Sequence, residues 1–272
     1  MASLLDLERA PRLCIEDVRI AGHVQPINLR SYRPASDGTI LPIVLYFHGG
    51  GFTSGSLDDG DIAAASIARD TPAWVVSVGY SLAPTFPFPA APEDGYRALQ
   101  WAVAHARAQR ADPLRIGIAG HDAGGNLATC ISAIARDRGD IRMSAQVLLA
   151  PLLDPSMTRL ADERKVLCPD LEASECARCY RAYLPNPSQR LHPYAAPLES
   201  RRLNGLPPAL IASAEHDLLH IEAEKYAAEL ISAGVPTEVT RYGKASHQAL
   251  VTHPDVLGDV AAFFRKRLAR TK

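Results

Sequence analysis

The sequence is short of net charge, of long apolar runs and of cysteine, and each shortage excludes a class of function. Its 29 lysines and arginines nearly balance 30 aspartates and glutamates, so a net charge of −1 provides no electrostatic surface for nucleic acid. No apolar run approaches the roughly 20 residues of a membrane-spanning helix. The N-terminal residues carry acid where a signal peptide carries base, so we expect no export signal and a cytoplasmic protein that binds no membrane.

The five cysteines are an odd and scattered set, which favours a reduced, cytosolic protein. Cys168, Cys176, Cys179 and His192 could be drawn as a zinc site, but the second closely spaced pair of ligands is missing. We therefore expect no metal and no cofactor. We interpret Cys176 and Cys179 as small apolar residues of a lid helix.

Apolar runs alternate with helical patterns along the chain, which predicts an α/β protein with a mostly parallel, doubly wound sheet. In such a sheet, ligands bind beyond the carboxyl ends of the strands. The predicted strands are two within Ile15–Arg33, then Pro42–Phe47, Ala73–Gly79, Arg115–Ala119, Ala145–Ala150, Pro208–Ser213 and Thr237–Tyr242. The predicted helices are Ala63–Arg69, Pro92–Gln109, Asn126–Ala135, Leu171–Leu184, His220–Gly234 and Val256–Leu268.

Residues 152–206 differ in composition from the rest of the chain. Strand runs are absent there, five prolines interrupt the stretch from Pro169 to Pro197, and one predicted helix stands alone. This composition predicts a small helical lid inserted into the sheet domain. A chain of 272 residues has the length of one α/β domain, residues 1–272, that includes such a lid.

A turn between a predicted strand and a predicted helix organises the chain. Its sequence is Gly120-His-Asp-Ala-Gly124. An abrupt strand-to-helix turn between glycines is the setting of a nucleophile elbow, in which the central residue is strained and its small neighbours leave room for backbone contacts. The central residue is usually serine, whereas here it is Asp122.

A second glycine-rich stretch directly follows the predicted strand 42–47. Its glycines allow backbone N–H groups to converge on one point. Together with the N–H of Ala123, those of Gly49 and Gly50 are predicted to form an oxyanion hole, which stabilises negative charge developing on a carbonyl oxygen.

Asp217 and His247 each follow a predicted strand closely. Both should therefore lie at the carboxyl edge of the sheet, where an acid can orient and stabilise a histidine base. We predict that Asp122, Asp217 and His247 form the catalytic set. The rivals for the base, none with the same placement, are His216, His220 and His253.

Several separate motifs, in this order and spacing, resemble the hormone-sensitive-lipase-like branch of the α/β-hydrolases. The resemblance covers nearly the whole chain from about Ile15, and it implies an α/β-hydrolase fold and esterase or lipase activity on a small molecule. The motifs are His48-Gly-Gly-Gly51, Tyr80-Ser-Leu-Ala-Pro84, Phe88-Pro-Ala90, the elbow with Gly124-Gly-Asn126, Asp217 and His247.

Two departures from that family pattern matter. The family elbow is Gly-Asp-Ser-Ala-Gly-Gly, whereas this chain has Gly120-His-Asp-Ala-Gly-Gly125. The nearest displaced serine, Ser81, belongs to the neighbouring family motif and opens no helix. The family also carries a longer N-terminal cap. Here only about 14 residues precede the first strand, so the roof of the pocket should be thin and rest mainly on residues 152–206.

An aspartate at the elbow leaves three functions open. The first is a carboxylesterase-like hydrolase of small apolar acyl esters, with Asp122 in the nucleophile position or acting with His247 on water. The second is displacement at saturated carbon through an alkyl-enzyme ester, because Gly-His-Asp-x-Gly is also similar to the elbow of epoxide hydrolases and haloalkane dehalogenases. Ala123 stands where those dehalogenases often have tryptophan, which favours epoxides. The third is a binding module or lyase that retains only the pocket.

Aromatic residues suggest an apolar pocket of modest size. Phe52, His121, Tyr180 and Tyr183 are the predicted pocket residues, and the two tyrosines, at i and i+3 of the lid helix, could protonate an epoxide oxygen. The predicted last strand could also pair across a two-fold axis, so a homodimer is an option.

Overall fold

The computed structural model describes residues 12–35, 38–160 and 166–270. Eight strands form one sheet in the order β1-β2-β4-β3-β5-β6-β7-β8. β1 and β2 are antiparallel, β2 runs antiparallel to β4, and the remaining neighbours are parallel. The strands are β1 (Leu13–Ala21), β2 (Pro26–Pro34), β3 (Leu41–Phe47), β4 (Trp74–Gly79), β5 (Ala111–His121), β6 (Ala145–Leu149), β7 (Ala209–His216) and β8 (Thr237–Ser246).

The described residues form six α-helices, five of which pack on the two faces of this sheet, while the fourth lies in the lid. They are α1 (Asp61–Asp70), α2 (Ala90–His105), α3 (Ala123–Arg138), α4 (Ala173–Tyr183), α5 (His220–Ser232) and α6 (Pro254–Arg267). One apolar core joins the sheet to α2, α3 and α5, and a second joins it to α1 and α6. Every residue of β3 is buried, as its unbroken apolar run requires. The predicted doubly wound, mostly parallel α/β-hydrolase sheet is confirmed.

β7 and β8, like β5, extend beyond the ranges that their patterns predicted. β7 extends to His216 and β8 to Ser246, so Asp217 and His247 follow the last residues of their strands directly. Beyond Tyr242 the residues of β8 are polar or small, and backbone pairing with β7 continues there through an irregularity in register. Apolar periodicity cannot reveal such an extension.

The lid segment, residues 152–206, has α4 as the one α-helix among its described residues. Two short 3-10 helices follow it, Pro187–Leu191 and Pro197–Glu199. The side chain of Asn126, inside α3, donates hydrogen bonds to the carbonyls of Leu152 (2.8 Å) and Ala195 (3.2 Å). These bonds connect the beginning and a later part of the lid to α3. A single domain with this insertion stays a prediction.

The predictions about the N-terminal cap and the missing export signal fall mostly on residues 1–11, which lie outside the described residues. No helix within residues 12–35, 38–160 and 166–270 is long and apolar enough to cross a membrane. β8 forms one edge of the sheet, and pairing of two chains along it stays a prediction.

Candidate active site

Asp122 stands between the end of β5 and the start of α3. Its φ of 52° and ψ of −119° place this non-glycine residue in strained backbone. The strain is held by hydrogen bonds: the N–H donates to the carbonyl of Leu149 (3.0 Å), and the carbonyl accepts from the N–H of Leu152 (3.1 Å). A Cβ at Gly124 would lie 2.1 Å from the carbonyl oxygen of Phe47, so only glycine permits α3 to start this close to β3.

The Asp122 carboxylate is held by the glycine-rich loop after β3. Its Oδ2 accepts hydrogen bonds from the N–H groups of Gly50 (2.9 Å) and Gly51 (2.8 Å). Both glycines have positive φ, 109° and 56°, which turns their N–H groups to the same side. Tyr80 supports this loop, because its hydroxyl donates to the carbonyl of His48 (2.9 Å).

The donors that converge on Asp122 include one of the predicted three, Gly50, and one that was not predicted, Gly51. Gly49 instead packs against the next residues of the elbow: a Cβ there would lie 2.7 Å from His121 Nδ1. Ala123 is buried as the first residue of α3. A loop of three consecutive glycines could not reveal from sequence which two N–H groups would converge.

His247 lies between two carboxylates. Its Nδ1 is 3.1 Å from Oδ2 of Asp217, and its Nε2 is 3.9 Å from Oδ1 of Asp122. The ring is fully buried, and Nε2 has no hydrogen-bond partner among the described residues. Burial lowers the pKa of His247, but the carboxylates of Asp217, Asp122 and Asp170 outweigh it and raise that pKa to about 9. The structure thus brings the three predicted catalytic residues together, with His247 protonated at neutral pH.

His121 packs beside His247 with ring centroids 4.6 Å apart. Its Nε2 lies 3.1 Å from the backbone carbonyl of His247. Burial and the neighbouring charge of His247 lower the pKa of His121 to about 4, so His121 is neutral and donates from Nε2 to that carbonyl. It lines a cavity of about 250 Å³ beside Gly49 and Gly50, next to the pocket that contains Asp122.

A pocket of about 160 Å³ opens on Asp122 and His247. The lid supplies much of its wall, and its other lining residues are Gly50, Gly51, Ser54, Leu152, Asp170, Leu171, Glu175, Cys176, Cys179 and Gln248. A larger cavity, about 570 Å³, lies at the opposite, amino-terminal edge of the sheet beside Arg115 and Phe264. The smaller pocket is the candidate active site, because ligands of such sheets bind at the carboxyl edge.

Comparison with known proteins agrees with this architecture. A family profile, Abhydrolase_3, described as an alpha/beta hydrolase fold, matches residues 44–251. Esterase LipI of Mycobacterium tuberculosis is 40% identical over 248 residues, which are 87% of this chain and 76% of LipI. The chain belongs to the Abhydrolase_3 family.

Further relatives are also hydrolases by name. Ethyl acetate hydrolase of Pseudomonas putida is 35% identical over 240 residues, 86% of this chain and 75% of that protein. Among solved structures, a hyperthermophilic esterase from Pyrobaculum calidifontis superposes with a TM-score of 0.88 at 36% identity, covering 97% of this chain and 88% of that one. The protein is a carboxylesterase-like hydrolase, and these relatives lend no support to a binding module or lyase.

Three predicted pocket residues of this Abhydrolase_3 hydrolase do not line the pocket. Phe52 and Tyr183 are buried and stacked with ring centroids 3.8 Å apart, and Tyr180 is buried beside them. Their rings join the lid to the core instead. The hydroxyls of Tyr180 and Tyr183 have no partner among the described residues.

Two residues of the same lid helix, Cys176 and Cys179, line the pocket instead. With the tyrosines they form one helical stripe at i, i+3, i+4 and i+7, so the buried face of α4 was visible in the sequence. The sequence did not show which end of that face lies next to Asp122. Burial raises the pKa of both thiols. No group of three metal-ligating side chains occurs within the described residues.

The rival residues lie elsewhere. The backbone N–H of Ser81 donates to Asp94, and its hydroxyl accepts from Gln25, so it serves the structure of its own loop. His220 Nδ1 lies 2.7 Å from the carbonyl of Asp217, on the backbone side of the acid. His253 packs against Tyr242 with ring centroids 6.0 Å apart. None of them lines the pocket that contains Asp122.

Proposed function

We propose that this hydrolase attacks its substrate with Oδ1 of Asp122 and forms a covalent ester on that carboxylate, with small apolar epoxides as the substrate class. One observation supports this: Oδ2 already accepts the hydrogen bonds of Gly50 and Gly51, while Oδ1 is on the side of His247 Nε2. The two oxygens of one carboxylate therefore have different surroundings. Oδ1 is the one left for chemistry.

The first step is attack on saturated carbon. A bond forms between Oδ1 and an epoxide carbon, and the bond from that carbon to the epoxide oxygen breaks. The released alkoxide needs a proton. Tyr180 and Tyr183 do not line the pocket, whereas His247 is protonated there and its Nε2 lacks a partner within the described residues, so His247 donates the proton.

The second step is hydrolysis of the ester. Esterification removes the negative charge of Asp122, one of the charges that raise the pKa of His247. The neutral histidine then takes a proton from water, and the water oxygen bonds to the Asp122 carboxyl carbon. Charge develops on Oδ2, where the N–H groups of Gly50 and Gly51 stabilise it. The bond from that carbon to Oδ1 breaks, and the departing alkoxide takes the proton of the newly formed carboxyl group, which releases a diol and restores the carboxylate with one oxygen from water.

A second candidate is hydrolysis of small apolar acyl esters, which the names of the relatives favour. It demands a rearrangement, because the ester carbonyl needs the N–H groups that Asp122 occupies. Direct attack by the carboxylate would also give a mixed anhydride, and the carboxylate would be expelled before an alkoxide. In this candidate Asp122 and His247 act on water.

Oxygen-18 water separates the two. With enzyme in excess over a small terminal epoxide, one turnover should place the label in the peptide that contains Asp122, detected by mass spectrometry. His247→Gln removes the proton donor of the first step and the base of the second, so no label should enter that peptide. His253→Gln, outside the pocket, is the matched control. Label found only in the product of an ester panel would reject the covalent route in favour of the second candidate.

The pH dependence of kcat/KM gives an independent test, since it reports groups of the free enzyme. The covalent route needs protonated His247, so kcat/KM for epoxides should fall as the pH rises through about 9. If neutral His247 instead activates water on esters, kcat/KM should rise over the same range. Rates measured from pH 6 to 10 with each substrate class distinguish the directions.

Asp122→Ser tests whether the site is also poised for acyl transfer. The substitution frees the N–H groups of Gly50 and Gly51 and removes one carboxylate from beside His247. We expect ester hydrolysis to rise by about 10²-fold or more, the contribution usual for one oxyanion-hole donor. Asp122→Ala frees the same donors without a nucleophile and is the control. An unchanged rate in the serine variant would mean that other parts of the site are unsuited to acyl transfer.

A further inference from the structure

Asp170, in the lid just before α4, joins the lid to the loop of the active-site histidine. Its Oδ2 accepts hydrogen bonds from the hydroxyl of Ser246 (2.6 Å) and the backbone N–H of Gln248 (3.0 Å). These two residues flank His247. One carboxylate oxygen therefore holds the residues on both sides of His247, which the proposed mechanism needs as acid and then base.

The same short segment also contacts the loop of the active-site acid. The thiol of Cys168 lies within hydrogen-bonding reach of the backbone of Leu218, which directly follows Asp217. Residues 168–170 thus contact the loops after β7 and after β8. These contacts add to the side-chain pair of Asp217 and His247 at 3.1 Å and to the hydrogen bond of His121 with the His247 carbonyl.

We infer that Asp170 is a positioning residue, which sets the place of His247 between Asp217 and Asp122 by holding Ser246 and Gln248. The inference rests on the proposed role of His247 in hydrolysis. Asp170 needs no contact with the reacting atoms. A displacement of about 1 Å at a catalytic group lowers rates by as much as 10²-fold, so Asp170 should affect kcat far more than KM.

Charge and hydrogen bonding can be separated with two substitutions. Asp170→Asn retains an oxygen acceptor and removes the charge, whereas Asp170→Ala removes both. Ser246→Ala deletes one of the two hydrogen bonds. Glu172→Gln is the matched control, because Glu172 is a neighbouring lid acid whose described side-chain hydrogen bond goes to Ser174, away from the histidine loop.

Nuclear magnetic resonance of the His247 ring in the intact protein provides a readout that needs no substrate. The titratable groups facing that ring are Asp122 at the elbow, His121 at the end of β5, Asp217 after β7 and Asp170 from the lid. Asp170→Asn should lower the pKa of His247 and leave its Nδ1–H resonance sharp. Asp170→Ala should broaden that resonance by solvent exchange and lower kcat about 10- to 100-fold, with Ser246→Ala in between.

Two outcomes would overturn the inference. In one, folded Asp170→Ala retains the wild-type Nδ1–H resonance and His247 titration, which would reduce Asp170 to a lid contact. In the other, Glu172→Gln changes the resonance as much as Asp170→Ala does. Failure of the covalent mechanism would show separately, as the absence of oxygen-18 in Asp122 alongside the expected resonances.

Discussion

Two buried histidines, one at the end of β5 and one in the loop after β8, pack 4.6 Å apart by ring centroid and titrate in opposite directions. The pKa of His247 is raised to about 9, and the pKa of His121 is lowered to about 4. Burial acts alike on both, since it lowers the pKa of each. The difference comes from their partners: His247 has a carboxylate at each ring nitrogen, and the described contact of His121 is a neutral carbonyl.

This contrast separates two kinds of residue in one site. The neutral ring of His121 is a fixed hydrogen-bond donor that braces the backbone of its neighbour. The protonated ring of His247 can give up its proton when the charge around it changes, which is what a general acid and base must do. Proximity to the chemistry therefore does not by itself make a histidine reactive.

The largest effect should come from Asp217→Asn, which removes the closer of the two carboxylates. The pKa of His247 should fall, so the difference between the pKa values of His247 and His121 should become smaller. We expect kcat to drop about 10³- to 10⁴-fold, because the His247 ring loses the carboxylate that orients it and balances its charge. Steady-state kinetics and His247 titration measure both effects. Asp255→Asn, at an exposed acid of α6, serves as control. A kcat within threefold of wild type would contradict this role of Asp217.

The pH dependence of stability should show both histidines. The folded pKa of His247, about 9, exceeds its ordinary value of about 6.5, so its contribution is complete below pH 6.5 and is lost as the pH rises through 9. The folded pKa of His121, about 4, lies below that value, so stability falls as the pH drops from 6.5 towards 4.

Urea unfolding from pH 4.5 to 9.5 tests this on three proteins. His247→Gln should flatten the alkaline decline relative to wild type, and His121→Phe should reduce the acid decline. Carboxylates also contribute to the loss of stability at low pH. The effect of each histidine is therefore the difference between its variant and wild type. If each variant changes the free energy of unfolding by the same amount at every pH, the prediction that the two histidines titrate in opposite directions is wrong.

The smallest effect should be that of His121→Phe at pH 7. The phenyl ring retains most of the packing but leaves the carbonyl of His247 without its donor, which should reduce the free energy of unfolding by about 1–3 kcal/mol. His23→Phe, at an exposed loop position, should change it by less than about 0.5 kcal/mol. Equal losses in the two variants would show that the hydrogen bond contributes nothing measurable.

Much of the architecture was predictable because it depends on local pattern. Apolar runs bounded by turn residues located the strands, and the glycines around Asp122 located the strained elbow. The prediction of pocket residues was less accurate for Phe52, Tyr180 and Tyr183. An aromatic side chain is equally suited to a pocket wall and to a buried contact between lid and core, so the sequence does not distinguish the two. Cys179, which lines the pocket, carries no sequence signal that separates it from the rest of the apolar face of α4.

The sequence alone determined that a carboxylate stands at the elbow, with an acid, a histidine and a glycine-rich loop at the ends of other strands. Only the tertiary structure decided how the surroundings of the two Asp122 oxygens differ. It also decided why the pKa of His247 is raised while that of His121 is lowered. The contacts responsible join residues 72 positions apart for Asp122 and Gly50, and 126 apart for His121 and His247. Hydrogen bonds and charges act through distances of a few ångströms, which no local pattern along the chain encodes.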